Sequence, residues 1–184
     1  MAKRMVSTSR NDIRELFSQR PVLTLIDGMG IGKAHTLHIR EGRTFSVKRI
    51  DHQVIVTAAH MSDLKKPDIL QLVRTQIIKV LRREASQHLP VRIAHAASTY
   101  GFDYNTIKFS HASSRWGSCS SQKTITLNIA LMNLPYELID YVLIHELSHT
   151  KHMNHSQEFW NTVAACDPLY RQHRQMLKKY SPHI

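Results

Sequence analysis

The stretch His145–His155, HELSHTKHMNH, gathers four of the chain's 13 histidines around a single glutamate. His145 and His149 are four residues apart, so on a helix their imidazoles share one face, one turn from each other. From there both can reach one Zn2+ at roughly 2.0–2.1 Å. Glu146, one position on, is rotated off that line. It is poorly aimed at the ion but within reach of a water bound there, which is the place of a general base.

A third ligand is needed, and three residues compete for the role. His152 continues the same stripe, but on a straight helix it lies roughly 10 Å along the axis from His145, too far for one ion to hold both. Glu158 offers a carboxylate from the following helix. His155 follows Asn154, a residue that tolerates the left-handed conformation at which helices end, and a turn there brings His155 back onto the metal. The resulting H-x3-H-x5-H spacing is that of the metzincin proteases, but His152 stands where their glycine belongs. The competing reading, a helix whose histidines are merely solvated, leaves the order of ligand, base and ligand without a cause.

The elements around this stretch follow from periodicity. Pro135 begins a helix through YELIDYVLIHELSHTKHM, apolar upstream at Leu138, Ile139, Val142, Leu143 and Ile144, as expected of a buried helix carrying a site inward. Ser156 caps the next helix, SQEFWNTVAA, in which Phe159 and Trp160 wedge against the site; Asp167-Pro168 opens a last one. Two strands, NTIKFS and KTITLN, are separated by HASSRWGSCSSQ. Further upstream, Ile69, Leu72, Val73, Ile77, Val80 and Leu81 form the apolar stripe of a helix from Pro67 to about His88, and Pro90 opens another that Gly101 ends. Residues 21–60 carry four β-type runs, VLTLI, HTLHIR, TFSVKRI and QVIVTA, which read as a small antiparallel meander. A short helix, NDIRELFSQR, is expected within the basic arm at residues 1–20. The break DGMGIGK is not a phosphate loop: Asp27 and Ala34 stand where Gly and Ser or Thr are required.

The 184 residues suit one domain with a small appendage, divided as an arm at 1–20, a β-rich part at 21–62 and a metal-site part at 63–184. No apolar stretch follows the basic start, so no signal peptide is expected, and the aliphatic runs are too short to cross a bilayer. Two cysteines, Cys119 and Cys166, make no disulfide framework, and a cytoplasmic location is the expectation. The formal net charge of +11 suits an anionic partner, a nucleotide or a nucleic acid met through the basic surface, as well as it suits solvated helix faces.

SSRWGSCSSQKTITLNIALMNLPYELIDYVLIHELSHTKHMNHSQEFW, residues 113–160, resembles the signature of the YgjP-like metal-dependent hydrolases, zincins related more distantly to the SprT-like and WLM metalloproteases. The resemblance implies an α+β fold: the N-terminal meander, then a zincin-like metallopeptidase domain with the metal site on a long helix. It implies one zinc per chain on His145, His149 and His155, with Glu146 activating the water. It places Arg115, Trp116, Gly117, Ser118 and Cys119 in a second motif, and the strand KTITLN at the cleft edge, where an extended substrate could lie alongside. From the residues alone, Arg115 is a candidate grip for a substrate carboxylate or phosphate, while Trp116 and Cys119 read as packing beside the metal helix and His111 as a surface residue. The implied activity is zinc-dependent hydrolysis with a metallopeptidase-type architecture, peptides being the first candidate substrate and the physiological one left open. The alternatives are release of pyrophosphate from a nucleoside triphosphate such as UTP, and a DNA-associated protease of the SprT-like kind. The oligomeric state is left open.

Overall fold

The computed structural model describes residues 23–184; the expected helix at 11–20 and the basic arm lie outside them. The class is α+β, with two small sheets and four α-helices among the described residues.

The first sheet comprises β1 (Gly30–Ile31), β2 (His35–Glu41), β3 (Ser46–Ile50) and β4 (Gln53–Ala58), in the order β1-β2-β4-β3. It is not the antiparallel meander expected from the sequence. β3 and β4 form an antiparallel hairpin, but β2 pairs in parallel with β4. The cause is burial. Val54, Ile55 and Val56 are consecutive and buried, so β4 has two covered faces and takes the centre. Lys48 and Arg49 keep β3 wet, and it crosses to the rim. Residues Leu23–Ile26 of the expected first strand pair with nothing in the sheet, and the two-residue β1 takes the outer position beside β2.

The chain then runs into α1 (Pro67–Tyr100), one helix of 34 residues where the sequence suggests two. Pro90 lies inside it. An interior proline costs roughly 3 kcal/mol. Here Leu89, Ile93 and Ala97 continue the buried face begun by Val73, Ile77, Val80 and Leu81, and that packing outweighs the penalty. Leu72, expected on the apolar stripe, is 52% exposed; Glu84 is buried. Gly101 ends the helix as expected.

Glu84 explains the glycine-rich break. Its carboxylate accepts hydrogen bonds from the Lys33 N–H at 2.6 Å and the Ala34 N–H at 3.1 Å, and pairs with His35 Nδ1 at 2.6 Å. Gly32, at φ 64°, lies so close to this carboxylate that a Cβ would collide with it. The same turn reaches forward: the Gly32 N–H donates to Asn133 Oδ1 at 2.8 Å, and Lys33 Nζ to the Leu134 carbonyl. DGMGIGK is a clip joining the first sheet to α1 and to the residues that enter the metal helix.

The second sheet comprises β5 (Thr106–Ser110), β6 (Gly117–Cys119) and β7 (Thr124–Asn128), ordered β5-β7-β6. The strand expected at the cleft edge, KTITLN, is therefore central: Ile125 and Leu127 are fully buried and want two neighbours. The edge strands are β5 and β6, and β6 is three small residues, too few to show a β pattern in sequence. A 3-10 turn (Ile129–Asn133) packs on α1 and leads into α2 (Tyr136–Ser148), α3 (Gln157–Cys166) and α4 (Tyr170–Leu177). One apolar core runs from Ile31 to Ile184.

Candidate metal centre

α2 forms because its apolar residues bury one broad face, and it carries His145, Glu146 and Ser148 with them. It ends five residues earlier than the sequence suggests, at Ser148. Ser148 Oγ donates to the Ile144 carbonyl at 2.7 Å and Thr150 Oγ1 to that of Leu147 at 2.7 Å, so the last turn closes on side chains. The chain turns through His149–His152 and bends again at Met153–Asn154; the only non-glycine residues with positive φ among those described are Asp51 and Lys123, so Asn154 does not take the left-handed conformation expected of it. Ser156 caps α3 through the Phe159 N–H, as expected.

This early turn brings His155 back to the helix. One ring nitrogen from each of His145, His149 and His155 lies within 4.8 Å of the others. His145 Nε2 and His155 Nε2 are 3.1 Å apart, close to the separation of about 3.3 Å that two nitrogens have around one tetrahedral zinc. His149 Nδ1 is 3.0 Å from the His152 carbonyl. A carbonyl only accepts, so Nδ1 carries the proton and Nε2 keeps the lone pair a metal needs. His152 thus serves through its backbone, and Glu158 is exposed beside Ser156, away from the cluster. Burial and the neighbouring charges of His149, His155 and Arg174 push the His145 pKa down to about 3, and burial lowers that of His149. Neutral imidazole is the metal-binding form, and the residues present fit a divalent ion.

Phe159, fully buried, stands with its ring centroid 4.5–5.0 Å from all three imidazoles. Trp160 stacks on His155 at 5.5 Å and 19°. Both residues wedge against the site as the sequence suggests.

Glu146 is 5% exposed, and burial pushes its pKa up to about 8. A cavity of about 170 Å3 opens beside Glu146 and His145, between Trp116, Gly117, Tyr141 and Leu177. Gly117, at the start of the edge strand β6, lies directly against the Glu146 carboxyl. The loop before β6 is pinned by Asn128. Its Nδ2 donates to the carbonyls of Ala112 and Arg115 at 2.6 and 2.8 Å, and its Oδ1 accepts from the Ala130 N–H at 3.0 Å. Arg115 contributes that carbonyl; its side chain is exposed and does not line the cavity. Trp116 and Cys119 are half-buried against the core, and burial pushes the Cys119 thiol up. His111 is exposed.

Sequence reasoning misses Asn128, Tyr141 and the His152 carbonyl. An asparagine inside the apolar run ITLNIALM was a readable sign of a buried polar clamp. Tyr141, buried on α2 with its phenol pushed up to about 12 by desolvation, looked like ordinary core.

A family model described as YgjP-like, metallopeptidase domain, matches residues 3–180. Among solved structures, the chain is similar to the metallopeptidase zymogen abylysin of Pyrococcus abyssi. The identity is 28%, over 49% of this chain and 92% of that one, with a TM-score of 0.45. It is also similar to the metallopeptidase zymogen jannalysin of Methanocaldococcus jannaschii, at 24% identity over 48% and 95% of the two chains, with a TM-score of 0.40. No curated protein matches.

Proposed function

The chain belongs to the YgjP-like metallopeptidase family and is a metal-dependent hydrolase, and from that premise we propose that it is a zinc peptidase. His145, His149 and His155 hold the ion, and Glu146 is the base. Zinc is the chemical choice for three imidazoles. When bound, it supplies Lewis-acid polarisation of the scissile carbonyl and lowers the pKa of water. Glu146 takes the proton of the attacking water and returns it to the leaving amine. Its burial keeps bulk solvent from competing for that proton.

A peptide substrate is supported by β6. This strand is at the sheet's edge, and among the described residues no strand pairs with its outer side. An extended peptide can add to it by main-chain hydrogen bonds, with its scissile bond beside Glu146. The observation that carries the reading is the convergence of three imidazole nitrogens next to a buried glutamate at a free strand edge.

The test pairs metal analysis with turnover. Purified protein should hold one zinc and cut casein. Glu146→Gln should keep the zinc and lose about 10²–10⁴-fold in rate. Full activity in that variant would remove Glu146 from the mechanism. The +11 charge favours a second reading, pyrophosphate release from UTP at the same metal. Zinc-dependent pyrophosphate release without casein fragments would establish it instead.

A further inference from the structure

The metal site has a cationic neighbour. α4 lies against α2, and its residues Arg171 and Arg174 and its C-cap Lys178, still helical in backbone, stand at i, i+3 and i+7, one face of a helix. With Gln157, Trp160 and Tyr170 they line a pocket of about 410 Å3 that has no acidic residue in its wall. Among the described residues, none of the three cations joins an ion pair. Asp167, the nearest acid in sequence, is engaged 2.7 Å from His173.

Two of these cations are held in place. The Arg174 guanidinium lies 4.7 Å over the Trp160 ring. Arg171 Nε donates to the Tyr170 hydroxyl at 3.1 Å. Trp160 and Tyr170 stack at 5.6 Å and 21°, and Trp160 in turn stacks on His155. The pocket is therefore one indole ring away from a candidate metal ligand. Stacked guanidinium groups lose little freedom when they bind an anion, and their forks match a carboxylate. The aromatic walls suit the methylene stem that joins such a group to a peptide.

We propose that this pocket is a specificity subsite for a substrate carboxylate, so that the enzyme selects acidic peptides. The proposal rests on the peptidase reading. The carboxylate can come from an Asp or Glu side chain or from the peptide's own C-terminus.

Binding to the zinc-loaded Glu146→Gln protein tests it independently of turnover. The probes are peptides that differ only by Glu or Gln at successive positions, each with a free or amidated C-terminus, followed by calorimetry. The Glu or free-terminus member should bind about tenfold tighter, as expected for two or three solvent-facing charge pairs. The ratio should shrink as salt rises from about 50 to 500 mM. Arg171→Gln with Lys178→Gln should bring it toward one, while Arg171→Lys with Lys178→Arg should restore most of it. Zinc content and circular dichroism serve as folding controls. A preference removed by amidation alone identifies the terminal carboxylate; one that survives amidation identifies the side chain.

Equal binding of the paired peptides would overturn the proposal, as would a preference untouched by the double substitution. So would UTP binding that needs Arg171 and Lys178 while no peptide does. Hydrolysis by the wild-type protein is scored separately. If no peptide is cut, the peptidase reading fails; if Gln and Glu peptides are cut equally fast, only the subsite fails.

Discussion

A Cβ at position 117 would stand 2.7 Å from Glu146 Oε1 and 2.8–2.9 Å from its Cγ and Cδ. Those distances are too short for carbon, so Gly117→Ala must push the carboxyl aside or shift β6. A displacement near 1 Å at a catalytic base costs on the order of 10²-fold. The expected result is a fall in kcat/KM of about that size with zinc content unchanged; normal turnover would mean that Glu146 does not need its observed place. The histidines separate in the same way. His152→Ala keeps the backbone carbonyl that fixes the His149 ring, so its metal affinity should stay within a few-fold of the wild type. His155→Ala should lose more than the roughly 10–100-fold typical of an outer-shell partner. Competition with a zinc chelator ranks the two, and the reverse order would shift the ligand from His155 to His152. That these three imidazoles gather was legible because helical spacing puts His145 and His149 on one face, and a third partner had few positions to occupy. The role of Gly117 was not legible, because its cause is a side chain 29 residues away.

At the scale of elements, what the sequence hid is what tertiary burial decides. Pro90 read as a helix start because local rules stop there, while the buried face on either side of it carries α1 through. β6 has no strand signal, and β7 looked like an edge only through resemblance, although Ile125 and Leu127 are fully buried. The glycine-rich break could be excluded as a phosphate loop, but its partner Glu84 appeared on the helical pattern as one more charge. That clip carries a prediction. Glu84→Ala leaves His35 and two backbone N–H groups without their acceptor, and breaking a buried pair in this way costs roughly 3–5 kcal/mol. Glu84→Gln, which still accepts hydrogen bonds, should lose less. Urea unfolding measures both. A loss under about 0.5 kcal/mol for the alanine variant would mean that the turn and α1 hold together without the carboxylate.

For the whole molecule, a metal held by the three histidines would be a tie between α2 and the start of α3. His145 and His149 belong to the end of α2, whereas His155 sits in the exposed chain that leads into α3. Phe159 and Val163 are the fully buried residues of α3, and α4 presents none. No helix among the described residues is long and apolar enough to cross a membrane. An ion bound only by the folded state at 100 times its Kd adds about 2.7 kcal/mol. For a chain of this size that corresponds to about 5–11 °C in Tm. Stripping the bound metal with a chelator should lower Tm by that amount, and adding it back should restore it. Hydrogen exchange should then rise from His149 through α3, while α1, whose buried face runs the length of the core, keeps its protection. An unchanged Tm in protein shown to have lost its metal would mean that the three histidines are already held in place by Phe159 and Trp160. The metal would then add chemistry to a finished scaffold, with no part in joining α2 to α3.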